Sequence, residues 1–302
     1  MANVYEKQNS EKALKYVYTA KKKFSKLKFA KEIEFWWVVV ASIMSILISY
    51  HEPEEICFYL NYEKIELLLV VINIFVLLLS NPLNLYLSKR QEYAANIQQC
   101  FDALCYNDEN AKIQIIDKDS YLSEDQRSDV LTNVLPKDRS KWENWYHDYS
   151  SRPLFEQILF SQKESYKWSN KLKVAFLVVY IITCIIYLSF IFLYFGIKID
   201  VKFVAILSSC IIFIEHCINA FYNISCDLYS LHSIKKYAES IDVKDPQNPT
   251  KKDIQQLVFL QSKIYDYRKS NYQVPDLLYQ IYRKSLQNFF EKKAQVLNEG
   301  NV

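Results

Sequence analysis

The chain has 302 residues, a net charge of +3 and a mean hydropathy of −0.10, values that on average suit a soluble protein. Those averages conceal a segregation, because the apolar residues gather in four blocks and the charges lie between them. Only two glycines occur, Gly196 and Gly300, and a phosphate cradle or a nucleophile elbow needs glycine for close backbone approach. A Walker A loop, a dinucleotide fingerprint and a Gly-x-Ser-x-Gly elbow are therefore excluded. The seven cysteines form no Cys-x-x-Cys pair and the four histidines are scattered, so no zinc site is expected.

Residues 1–34 read as a cytosolic N-terminal helix in which Val4, Leu14, Val17 and Phe24 share a face among lysines. This pattern fits either a membrane-surface helix or a lead-in helix continuous with the first apolar block. The four apolar blocks are 35–50, 65–87, 174–197 and 201–222. Crossing a bilayer core takes roughly 20 residues at about 1.5 Å each, so each block is a candidate span, the first with help from its flanking residues. Lysine placement sets the orientation. Lys21, Lys22, Lys23, Lys26, Lys28 and Lys31 precede the first block, whereas Glu52, Glu54, Glu55, Glu63 and Glu66 come after it against Lys64 alone. Lys89 and Arg90 come after the second block, and Lys163, Lys167, Lys171 and Lys173 precede the third. Both termini and the 88–173 segment are thus expected in the cytoplasm, and two short loops, one holding Cys57, outside.

Within 88–173 the polar stretch 107–136 is expected to be the most mobile part. Arg152-Pro153 marks the start of a helix that runs on into the third span, since proline suits the first turn. Residues 223–302 read as an extension of the fourth span and then a helical hairpin, its second helix opened by Val274-Pro275-Asp276. No strand-like alternation appears. The expected fold is an all-α integral membrane protein, with transmembrane pairs at 35–87 and 174–222 and helical extensions that form a cytosolic bundle.

Several residues carry a resemblance. They are Gln8-Asn9, Asn144-Trp145-Tyr146, Arg152-Pro153, Gln162, Trp168, Gln261, Ile264-Tyr265, Arg268, Val274-Pro275-Asp276, Tyr279 and Arg283. In these the chain resembles the SMODS-associated four-transmembrane effectors, predicted pore-forming proteins of bacterial cyclic-oligonucleotide anti-phage systems. It departs from that pattern at Lys163, Ser165 and Leu277. The resemblance implies a homo-oligomeric effector of the bacterial inner membrane. It further implies control by a cyclic oligonucleotide second messenger, with no catalytic residues, metal or nucleic-acid polymer. The alternative is a non-conducting sensor or scaffold that recruits a partner protein.

Two constellations could carry such a function. On the fourth block Lys202, Ser209 and His216 recur every seven residues beside Ser208 and Glu215, with Asn219 close by; Asn73 offers a polar position on the second block. These form a polar arc on an apolar helix, which is either a pore lining or interhelical hydrogen-bonding glue. In the cytosolic parts Arg152, Arg268, Lys269 and Arg283, with Trp145, Tyr146, Tyr265 and Tyr279, could bind a nucleotide by charge pairing and stacking. They could equally be the core aromatics and snorkelling cations of a helical bundle.

Overall fold

A computed structural model describes residues 3–50, 62–140, 142–195 and 203–299, without the side chains of 34, 41–50, 62–70, 72–81, 190–192, 194–195 and 203–212. The chain is helical, and the described residues contain no strand. Four long helices form the frame: α2 (Glu11–Tyr50), α3 (Tyr62–Tyr106), α5 (Leu154–Phe195) and α6 (Phe203–Ser240). Shorter ones complete it: α1 (Val4–Gln8), α4 (Glu124–Thr132), α7 (Lys251–Ser270) and α8 (Asp276–Glu299). The long helices hold 38 to 45 residues. At 1.5 Å per residue that is about 57–68 Å, roughly twice a bilayer core. Each joins an apolar block to a polar half without a break, so the lysine-rich lead-in before residue 35 and the first apolar block are one rod.

α2 packs along α3, α5 along α6, and α2 against α6. The polar halves enclose the main core, where Leu14, Val17, Phe101, Ile158, Leu231 and Leu260 are buried. Residues 107–136 lend a few apolar side chains to this core, while most of their polar ones are exposed. Asn107 Oδ1 accepts the N–H groups of Ile115 and Ile116 at 2.9 and 3.1 Å, and Ile113, Ile115, Leu122 and Val130 are buried. Reciprocal caps fix the helix starts: Ser123 with Gln126 begins α4 and Thr250 with Asp253 begins α7. α5 opens after Pro153, whose carbonyl accepts from the Gln157 N–H at 3.0 Å.

Along the apolar half of α5 the outer face is bare. Val178, Ile182, Ile185 and Leu193 are exposed, and Ile186 reaches 64 %. Tyr180 and Tyr187, by contrast, are buried against Phe176 and Phe213. Among the described residues this helix alone, over Leu154–Ser189, is long and apolar enough to cross a membrane. The two expected outer loops, with Cys57, lie outside the described residues.

Candidate functional site

The site is built on the segment between α4 and α5. Asn144 has a φ of 56°, a left-handed conformation that asparagine tolerates better than most residues. Its N–H donates to Asn9 Oδ1 and its own Oδ1 accepts from Asn9 Nδ2, both at 3.0 Å. Two residues on, the Tyr146 N–H donates to Gln8 Oε1 at 2.7 Å and its carbonyl accepts from Gln8 Nε2 at 2.8 Å. Trp145 is held between these two clamps.

Tyr146 continues into a buried polar core. Its hydroxyl donates to Asp102 Oδ1 at 2.7 Å, and Gln261 Nε2 donates to Asp102 Oδ2 at 2.9 Å. The Arg268 guanidinium pairs with Asp102 and donates to Ser165 Oγ at 2.8 Å. Asp102 is wholly buried and Arg268 is 6 % exposed. Burial opposes the charge on Arg268, yet the neighbouring carboxylate holds its guanidinium above its ordinary range. Gln162 joins the network by donating to Gln261 Oε1 at 3.0 Å. Gln8, Tyr146, Gln162, Gln261 and Arg268 therefore tie α1, α3, α5 and α7 together.

Above this core lies a cavity of about 250 Å³ between the polar halves of α2 and α5, the end of α7 and the start of α8. Its walls include Trp145, Trp168 and Tyr279, with Lys21, Lys28 and Arg283 around them. Lys21 Nζ lies 5.0 Å from the Tyr279 ring centre and 5.8 Å from that of Trp145. Lys28 Nζ lies 5.3 Å from the Tyr279 ring and 2.8 Å from Asp276 Oδ1. Burial pushes the Asp276 carboxyl up, but the charge and hydrogen bond of Lys28, with a hydrogen bond from Ser25 and the charge of Lys21, together outweigh it and leave the group below its usual value. The Asp276 N–H donates to Glu32 at 3.2 Å, so the start of α8 is moored to α2.

Two ionic pairs border the cavity. His147 Nδ1 lies 2.7 Å from Glu164 Oε1. Burial works against the imidazolium, while the Glu164 hydrogen bond and charge favour it and keep His147 above its ordinary value. Lys173, 1 % exposed, lies 2.8 Å from Asp227 Oδ2 and also donates to the Tyr272 carbonyl. Burial lowers the lysine and raises the aspartate. This pair bridges α5 and α6 immediately before the third apolar block.

Of the nucleotide-binding candidates singled out in the sequence, Trp145, Tyr146, Arg268, Tyr279 and Arg283 line the cavity. The structure does not bring Arg152, Tyr265 or Lys269 to it. Arg152 donates to the Leu297 carbonyl, Tyr265 donates to Asn96 Oδ1 at 2.6 Å, and Lys269 pairs with Asp266 at 2.9 Å. Arg268 reaches the cavity with its guanidinium already engaged by Asp102. Sequence reasoning missed Lys21, Lys28, Trp168, His147 and Glu164 as site residues; Lys21 and Lys28, seven apart on one helix face, were a readable signal.

On the fourth block the arc divides. His216 sits 5.8 Å from the Phe35 ring, whereas Glu215 and Asn219 are exposed on α6. Lys202 and the side chains of Ser208, Ser209 and Asn73 lie outside the described residues. Among the described residues no group of His, Cys, Asp and Glu is arranged to hold a metal ion.

The family model described as the SMODS-associating 4TM effector domain matches residues 2–297, nearly the whole chain. No curated protein and no solved structure matches it.

Proposed function

The chain belongs to the SMODS-associating 4TM effector family, and from that premise we propose that it is a four-span membrane effector whose cytosolic cavity takes a cyclic oligonucleotide. The cavity carries this reading, because aromatic walls beside cations suit a flat base joined to a phosphodiester. A volume of about 250 Å³ falls just below the roughly 300–1,000 Å³ usual for a small-molecule pocket. It suits one nucleotide unit better than a whole cyclic oligonucleotide, so the ligand is shared between copies and promotes their assembly. Assembly is needed in any case, since four helices packed together enclose no aqueous path.

The route to the membrane is mechanical. Trp168 and Ser169 line the cavity on α5, and the same uninterrupted helix carries the bare apolar face from Val174 onward. A ligand that draws α8 and α2 together pushes on α5 at Trp168 and, through Lys173 and Asp227, on α6. Glu215 and Asn219, exposed on α6, then face neighbouring copies and water in an oligomeric pore. Both termini lie in the cytoplasm, by the lysine distribution across the four blocks.

The test is calorimetric titration of the detergent-purified protein with a panel of cyclic dinucleotides and trinucleotides. Arg283→Ala removes a charged contact worth about 1.5–3 kcal/mol, a loss of roughly tenfold to a hundredfold in affinity. Lys269→Ala, remote from the cavity, leaves affinity unchanged. If no member of the panel binds, the second-messenger reading fails and the non-conducting scaffold takes its place.

A further inference from the structure

A second cavity, of about 150 Å³, lies on another side of α5, lined by Lys163, Lys167 and Lys293 with Tyr149, Phe160 and Phe290. At about 100° per residue, Lys163 and Lys167 fall on one stripe of α5. Ser165, Trp168, Ser169 and Leu172 fall on another, roughly 170° away. Glu164 stands between the stripes and borders both cavities. α8 closes the second cavity with Lys293 and Phe290, and the Phe290 ring stacks on Trp168 with centres 5.8 Å apart.

Three ammonium groups thus converge on one hollow. Glu164 is committed to His147 at 2.7 Å and to the Tyr149 hydroxyl at 3.3 Å, and Glu156 lies 3.9 Å from Arg152. Among the described residues no carboxylate forms an ion pair with any of the three lysines. Lys171, exposed one turn further along, extends the row toward the third apolar block. Burial, together with the charge of Lys293, depresses both Lys163 and Lys167, the latter to about 8, against the weaker opposing charges of Glu239 on α6 and, at Lys163, of Glu156. Like charges gathered in a half-buried place are unfavourable by themselves and become favourable when an anion joins them.

We propose that Lys163, Lys167 and Lys293 form a phosphate-group site, separate from the aromatic cavity, that takes a soluble phosphoryl dianion or the headgroup of an anionic phospholipid. Each ammonium brings three donors on a flexible stem, so three of them can surround a phosphoryl group as point charges. Tyr149 and Phe160 form the apolar floor that keeps water from screening the charges. Because anion binding favours the charged lysine, the site takes up a proton at Lys167 above pH about 8, and affinity falls as pH rises through that value.

The full chain is melted in neutral detergent with and without millimolar inorganic phosphate. It is then melted in bilayers of phosphatidylcholine with and without phosphatidylglycerol. Wild type gains stability from at least one of the two anions, and the double variant Lys167→Gln/Lys293→Gln loses that gain and binds the same anion at least tenfold more weakly. A response to inorganic phosphate assigns a soluble phosphoryl ligand, and a response confined to phosphatidylglycerol assigns a lipid headgroup. Without any anion the double variant melts no lower than wild type, because mutual repulsion has been relieved; Lys167→Arg, which keeps the charge, retains the response. An undiminished response in the double variant overturns the proposal, as does a wild type indifferent to both anions.

Discussion

Replacing Arg268 by methionine tests whether this arginine is structural. Asp102 is wholly buried, and its carboxylate receives the Tyr146 hydroxyl at 2.7 Å and Gln261 Nε2 at 2.9 Å in addition to the guanidinium. The substitution leaves those two neutral donors in place and removes the countercharge. Breaking one side of a buried ion pair costs about 3–5 kcal/mol, because the remaining charge has no solvent to stabilise it. For a domain of this size each kcal/mol moves the melting temperature by about 2–4 °C, so a fall of about 6–20 °C is expected. The paired change Asp102→Asn/Arg268→Met buries no charge and keeps an oxygen to accept from Tyr146, so it recovers most of the loss. Thermal unfolding of the purified protein, monitored by near-ultraviolet circular dichroism, reads both. A single variant within about 2 °C of wild type, less than 1 kcal/mol, refutes the reasoning, as does a double variant no better than the single.

The His147–Glu164 pair gives stability a pH dependence. The imidazole is raised in the folded state, so its contribution is fully present below pH about 6.5, the unfolded value, and is lost as pH rises through the folded one. His147→Gln removes that slope from a plot of melting temperature against pH, and a slope unchanged in the variant refutes the assignment. Glu215→Gln removes the one carboxylate described in the arc on α6. It lowers cation-over-anion selectivity in liposomes without lowering membrane yield, whereas reduced assembly at unchanged selectivity makes Glu215 packing glue.

The helical class was legible because glycine is almost missing and the apolar residues run in blocks. The start of α5 was legible in Arg152-Pro153, because proline at a helix start forfeits no intrahelical hydrogen bond. The site was only partly legible. Arginines and aromatics could be picked out by type, but type does not reveal which arginine already has a partner. Arg268 meets Asp102, 166 residues away. Gln8 and Asn9 clamp Tyr146 and Asn144 across separations of 138 and 135 residues. Such pairings arise from how four rods dock, and no local pattern announces them. Conversely, the lysines of 21–31 were legible as an orientation signal, which hid the part Lys21 and Lys28 take in the cavity wall.

Ion flux through liposomes that contain the purified chain, recorded while the cyclic nucleotide selected by calorimetry is added, tests the central claim most directly. Flux that begins on addition to the cytosolic face is the predicted result, together with a dose response shifted tenfold or more by Arg283→Ala. Flux indifferent to the nucleotide, or no flux from protein that binds it, contradicts a cavity-controlled pore.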